Sequence, residues 1–252
     1  MRRLPVPGAP RVVLVHGSMD RAQSFRKVER RLSGLDTTSF DRRGYGDSVD
    51  AGVAGTIAAH VDDLLAVTGE QPCVVVGHSL GATIGLAAAV ERPDVVVAVM
   101  AYEAPLPWEA WWPRDSAGGR AVGAHRDDPP AAAEAFMRAM VGDRIWERLP
   151  ASSRTARRSE GAALLAEMGA IRRGPAAVDT RAVPVPVISV RGSLSLEHHR
   201  RGAAELAAAA PAGELMEIEG AGHGAHLSHP DQFTRLVHRT VESVPDPGRR
   251  SP

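Results

Sequence analysis

VVVGHSLGAT, residues 74–83, passes from a run of valines into a serine held between two glycines. With Cys73 before them, the valines are apolar on both faces, the pattern of a strand covered on both sides. The small residues that follow, GATIGLAAAV (81–90), suit a helix packed closely on that strand. A serine at such a tight strand-to-helix turn is held in a strained conformation at the helix amino end. There the dipole and free N–H groups favour developing negative charge. Ser79 is therefore the candidate nucleophile, and a base and an acid must come from elsewhere. An ordinary serine in a strand–helix turn is the bland alternative, which the flanking strand and helix patterns disfavour.

Working outward, further short apolar runs recur between helical patterns: RVVLVH (11–16), TTSFD (37–41), VVVAVMAY (95–102), VPVISV (185–190) and ELMEIEG (214–220). Their alternation with helices predicts a mostly parallel sheet with crossover helices. Ile57, Val61, Leu64, Leu65 and Thr68 form one apolar stripe at helical spacing, as do Phe25, Val28 and Leu32, and later Phe233, Leu236, Val237, Thr240 and Val241. Residues 105–182 carry no convincing strand. They hold WEAWW (108–112), the alanine-rich AAAEAFMRAM (131–140), DRIWERL (143–149) and SEGAALLAEMGAI (159–171). The expected architecture is α/β: a sheet of six to seven strands flanked by helices, built from residues 1–104 and 183–245. A helical cap (105–182) follows the fourth readable strand, and a tail (246–252) is frayed.

Thirty basic and thirty acidic side chains cancel, so no nucleic-acid or anionic-membrane partner is implied. Lys27 is the only lysine, and the excess of arginine reflects genome composition rather than a binding surface. Cys73 stands alone, which excludes an internal disulfide and a cysteine metal cluster. The prolines of MRRLPVPGAP do not fit a signal peptide, and VVLV is too short to span a bilayer, so a cytoplasmic protein with a small-molecule substrate is expected.

GHSLG (77–81) satisfies G-x-S-x-G, and from here the chain resembles the α/β-hydrolase fold family over nearly its whole length outside the cap. VLVHGS (13–18) is similar to the family's strand and HG turn, FDRRGYGDS (40–48) to its arginine–glycine loop, and GAGHGAHLSHPDQF (220–233) to its late histidine loop. Only about ten residues precede RVVLVH, where the family has two earlier strands, so at most one small extra strand is expected, from RRLPV. The resemblance implies an oxyanion hole formed by the backbone N–H groups of Leu80 and Ser18, with Met19 as the alternative to Ser18. His16 and Gly17 shape that turn.

Of ten histidines, His223 in GAGHG follows the last strand, where the family keeps its base. His226 and His229 compete with it, His60 is expected to be exposed on its helix, and His78 belongs to the elbow. The family's usual acid position, in a G-x-x-D pattern, reads RGSLS (191–195) here, so Ser195 stands where an acid is expected. Glu103, at the end of VMAYE, occupies a second position that some members use. A carboxylate stranded after an apolar strand needs a partner, and an imidazole N–H would supply one. Glu197, or no acid at all, are the alternatives, as is a bland pairing of Glu103 with an arginine at the cap hinge.

Arg42 and Arg43 are expected to make surface ion pairs. EHHRR (197–201) lacks metal-ligand spacing, so no metal is assigned; with no P-loop or G-x-G-x-x-G, no cofactor is assigned either. Trp108, Trp111, Trp112, Phe136, Met140 and Trp146, with Met19 and His78, are the candidate substrate contacts. The implied activity is hydrolysis of an ester, thioester, lactone or amide through Ser79, His223 and Glu103. The alternatives are a binding protein with little turnover, a C–C hydrolase or perhydrolase, or an accessory enzyme using the same pocket.

Overall fold

A computed structural model describes residues 1–173 and 175–245; the expected tail (246–252) lies outside the described residues. Each apolar run becomes a strand: β1 (Arg2–Leu4), β2 (Arg11–Val15), β3 (Asp36–Ser39), β4 (Cys73–His78), β5 (Val96–Tyr102), β6 (Val187–Gly192) and β7 (Gly213–Ile218). They form one seven-stranded sheet in the order β1-β3-β2-β4-β5-β6-β7. All neighbours are parallel except β1, the short strand expected from RRLPV, which pairs antiparallel with β3.

Alternation along each strand divides the core into two layers. Val13, Val15, Val75 and Val99 face one side, where the helices Ile57–Thr68 and Leu80–Glu91 and the insertion pack. Val12, Leu14, Val74, Val76 and Met100 face the other, against Phe25, Val28, Phe233 and Leu236. Each such side chain contributes about 1.5–3 kcal/mol by leaving water. The helix Ile57–Thr68 starts at Thr56, whose hydroxyl accepts from the Ala59 N–H, and stops at Gly69 in the left-handed region. One expectation fails on this helix: His60 is buried, because it lies three residues after Ile57 and four before Leu64, on the apolar stripe itself.

Between β5 and β6 the chain makes a helical insertion comprising Ala117–Ala124, Pro129–Val141, Asp143–Arg148, Ala151–Arg158 and Gly161–Arg173. Asp128 caps the second of these through the Ala131 N–H, and Ala132, Ala133, Phe136 and Met137 form its buried face. No helix among the described residues is long and apolar enough to cross a membrane.

Candidate active site

The carboxyl ends of β2, β4, β5, β6 and β7 lead into the segments that carry Ser18, Ser79, Glu103, Ser195 and His223. This is the edge at which open α/β sheets bind ligands. At the end of β4, Ser79 sits at φ +53° and ψ −123°, and its N–H donates to the Tyr102 carbonyl at 2.8 Å. The glycines beside it are required by contact. A Cβ on Gly81 would lie 2.1 Å from the Val15 carbonyl oxygen, and one on Gly77 would lie 2.3 Å from the Ala82 Cα. Met19 (φ +56°) and Glu103 (φ +50°) are also left-handed, so three of the four non-glycine residues with positive φ among the described residues belong to this site.

Glu103 is fully buried. Its Oε2 accepts from His223 Nδ1 at 2.6 Å, and its Oε1 accepts from the Gly192 N–H at 2.8 Å and from the Ser195 hydroxyl. Burial alone would push this carboxyl upward. The hydrogen bond and charge of His223, with those from Ser195 and Gly192, outweigh it and hold the group below the usual carboxylate range. An ionised carboxylate only accepts, so Nδ1 is the donor, and in the neutral ring Nε2 carries the lone pair. Ser195, in the position where an acid was expected, is instead a donor to the Glu103 carboxylate. Glu197 is exposed and pairs with Arg200.

The His223 loop is pinned by two donors, Tyr102 Oη to the Gly222 carbonyl at 2.6 Å and His78 Nε2 to the His223 carbonyl at 2.9 Å. His199 stacks on the His223 ring, with centroids 4.4 Å apart and planes 24° apart. Burial, with the neighbouring His223, His198 and His78, pushes the His199 pKa well below its usual value. Behind the elbow, Asp20 Oδ2 lies 3.3 Å from His226 Nε2 and 3.6 Å from His78 Nδ1. His229 bonds to Ser228 instead. Ligand atoms of Asp20, His78 and His226, and of Glu103, His199 and His223, come within 4.8 Å of one another. In the second group both Glu103 oxygens already accept protein hydrogen bonds, an arrangement suited to an orienting carboxylate.

Ser79, Leu80, Ser18 and His223 share the wall of a cavity of about 520 Å³, together with Trp112, Phe136 and Met140. Five other expected contacts do not line it. Met19 is buried in the core, and His78 faces Asp20 and the His223 carbonyl. Trp108 borders a separate groove with Leu106 and Val178. Trp111 donates to Glu205 beneath the Arg201 guanidinium, and Trp146 is fully buried and donates to Glu134. A buried indole N–H needs an acceptor, and these carboxylates fix where the rings point. Met168, Ile171, Leu194, Leu196, His198 and His199 line the cavity and were missed. The helical period of 159–171 could have indicated the first two, but the side on which that helix docks is not written locally.

The arginine expectation holds only in part. Arg43 pairs with Asp63 near the surface, whereas Arg42 is buried and pairs with Glu167 from the insertion.

A model of the alpha/beta hydrolase family matches residues 12–236. The chain belongs to that family. Among curated alpha/beta relatives, the mouse sn-1-specific diacylglycerol lipase ABHD11 is 34% identical over 92 residues, which are 34% of this chain and 30% of that protein. The chain thus matches under a third of that relative's length. Among solved structures, the enol-lactonase from Burkholderia xenovorans LB400 superposes with a TM-score of 0.71 at 22% identity, covering 93% of this chain and 92% of its own. A thermophilic esterase from Thermogutta terrifontis superposes with a TM-score of 0.73 at 18% identity, covering 97% and 99%. At these identities the likeness is one of fold.

Two buried rings, His16 and His226, and the half-buried His199 set a pH dependence. Burial, with the Arg42 charge, lowers His16 to about 4, while burial with like-charged neighbours lowers His226 and His199. Unfolded histidine titrates near 6.5, so below that pH the unfolded chain binds more protons and stability falls with pH. The depressed carboxyls Glu103 and Glu167, the latter at about 2, stabilise fully above the unfolded carboxylate range. Their contribution is lost progressively as pH falls from that range through their folded values. Thermal melts should therefore show Tm declining from about pH 6.5 towards pH 4, ahead of carboxylate titration. A flat Tm between pH 7 and 5 would contradict the neutral-ring reading.

Proposed function

We propose that this chain is a serine hydrolase that cleaves ester-type bonds of small to medium apolar carbonyl substrates through an acyl-enzyme. The observation that carries this reading is the His223–Glu103 hydrogen bond, with His223 and Ser79 on the wall of one cavity. A buried carboxylate orients an imidazole that shares a cavity wall with a serine in strained backbone geometry. In this mechanism the Ser79 hydroxyl gives its proton to His223 Nε2 as Oγ attacks the substrate carbonyl carbon. The resulting imidazolium keeps its Nδ1 proton on Glu103. The Leu80 N–H, at the start of the helix Leu80–Glu91, and the Ser18 N–H hold the negative oxygen. His223 then protonates the leaving oxygen. Water, activated by the same ring, attacks the acyl carbon and frees Ser79.

The relatives support the reading: one is a diacylglycerol lipase, and the superposed structures are an esterase and an enol-lactonase. The mixed apolar and polar cavity, roofed by Phe136 and Met140 of the insertion, suits compact acyl groups. A fluorophosphonate probe should label Ser79, and a series of nitrophenyl esters should turn over best with short and medium acyl chains. Folded protein that neither labels nor hydrolyses any member of the series would refute the proposal.

A further inference from the structure

Glu167 takes no part in the proposed proton path, yet its carboxylate is buried, and the helix Gly161–Arg173 delivers it to a turn 149 residues away in sequence. Its Oε2 accepts from the Ser18 hydroxyl at 2.7 Å and the Tyr45 hydroxyl at 2.8 Å. Its Oε1 accepts from Arg42 Nη1, with His60 Nε2 3.2 Å away. Arg42 in turn donates from Nε to the His16 carbonyl at 2.9 Å and from Nη2 to the Gly17 carbonyl at 3.0 Å. Its backbone N–H donates to His16 Nε2 at 2.9 Å, so the His16 proton is on Nδ1, 2.8 Å from the same Gly17 carbonyl.

The Gly17 carbonyl and the Ser18 N–H are opposite edges of one planar trans peptide. Holding the carbonyl with three donors, the Asp20 N–H at 3.3 Å being the third, fixes the direction of the N–H and polarises it. That peptide lies against the nucleophile: a Cβ on Gly17 would stand 2.9 Å from the Ser79 Cβ. We propose that Glu167 is a positioning residue through which the insertion sets the oxyanion hole, its carboxylate fixing Arg42 and Ser18 and, through them, the direction of the Ser18 N–H. The inference rests on the serine hydrolase reading. It adds that the hole is complete only when this helix is seated.

Glu167→Gln removes the charge opposite Arg42 and turns one acceptor into a donor. In the folded variant kcat should fall by about 10- to 100-fold for short and longer nitrophenyl esters alike, because an oxyanion donor is misplaced rather than deleted. KM should stay within about threefold, the rate of fluorophosphonate labelling at Ser79 should fall in parallel, and amide exchange should quicken in residues 13–20 but not in β5. If Glu167→Gln does not fold, Ser18→Ala and Tyr45→Phe each remove one hydrogen bond and should lower kcat by about 3- to 10-fold at constant KM. A purely structural role would lower Tm or raise KM for longer esters while leaving kcat untouched. That result, or kcat within about twofold of wild type in folded variants, overturns the inference alone. Wild-type protein that neither labels nor hydrolyses esters overturns the underlying reading, and this one with it.

Discussion

Glu103→Gln is expected to lower kcat by about 10³- to 10⁴-fold while leaving KM nearly unchanged. The direction follows from the hydrogen bonds around the side chain. Oε1 receives two donors, the Gly192 N–H and the Ser195 hydroxyl, so the amide oxygen of a glutamine must take that position. The amide NH₂ then faces His223 Nδ1, which can pair with it only by giving up its own proton. The ring is forced into the tautomer that carries hydrogen on Nε2, and the lone pair needed for the Ser79 proton is lost. Steady-state kinetics, with Tm measured alongside, test this. A folded variant within about tenfold of wild-type kcat would remove Glu103 from the acid role and favour a merely structural carboxylate.

Ser79→Ala should have the largest effect, a fall in kcat of about 10⁶-fold, with no fluorophosphonate labelling and a stability close to wild type. Alanine keeps the Cβ and removes only the hydroxyl, for which no hydrogen-bond partner appears among the described residues. Tm should therefore stay level, because the Cβ that makes φ +53° strained is present in both side chains. Turnover by Ser79→Ala at more than about a hundredth of the wild-type rate would mean that another nucleophile, or water directly, attacks the carbonyl. Together the two variants separate loss of the nucleophile from loss of its orientation. If Ser79 and Glu103 act as a unit, the double variant should be little slower than Ser79→Ala alone.

Much of the sheet was legible because a buried parallel strand must be apolar on both faces, and a run such as CVVVG reports that locally. Glu103 was legible for a related reason: a carboxylate at the end of VVAVMAY has no local means of satisfying itself, so a distant partner is implied. The misplacing of His60 and Arg42 has one cause. His60, Arg42 and Glu167 are polar residues whose burial depends on one another, and their positions in sequence differ by 18 and 125 residues. Each alone reads as a surface group, because burying a charge is costly, and only the assembled cluster offsets that cost. The tryptophans of WEAWW divide: Trp112 lines the cavity, whereas a carboxylate on the helix Glu197–Ala209 holds Trp111 away from it.

The sequence alone determined the order of strands and helices, the elbow around Ser79 and the residue type on which a carboxylate would be stranded, since propensity, periodicity and the room glycine leaves act over a few neighbouring residues. Only the tertiary structure decided which imidazole meets Glu103, that Ser195 donates where an acid was expected, and which face of the insertion looks into the cavity. Those outcomes depend on hydrogen bonds and helix docking between segments roughly a hundred residues apart, whose geometry no local pattern encodes.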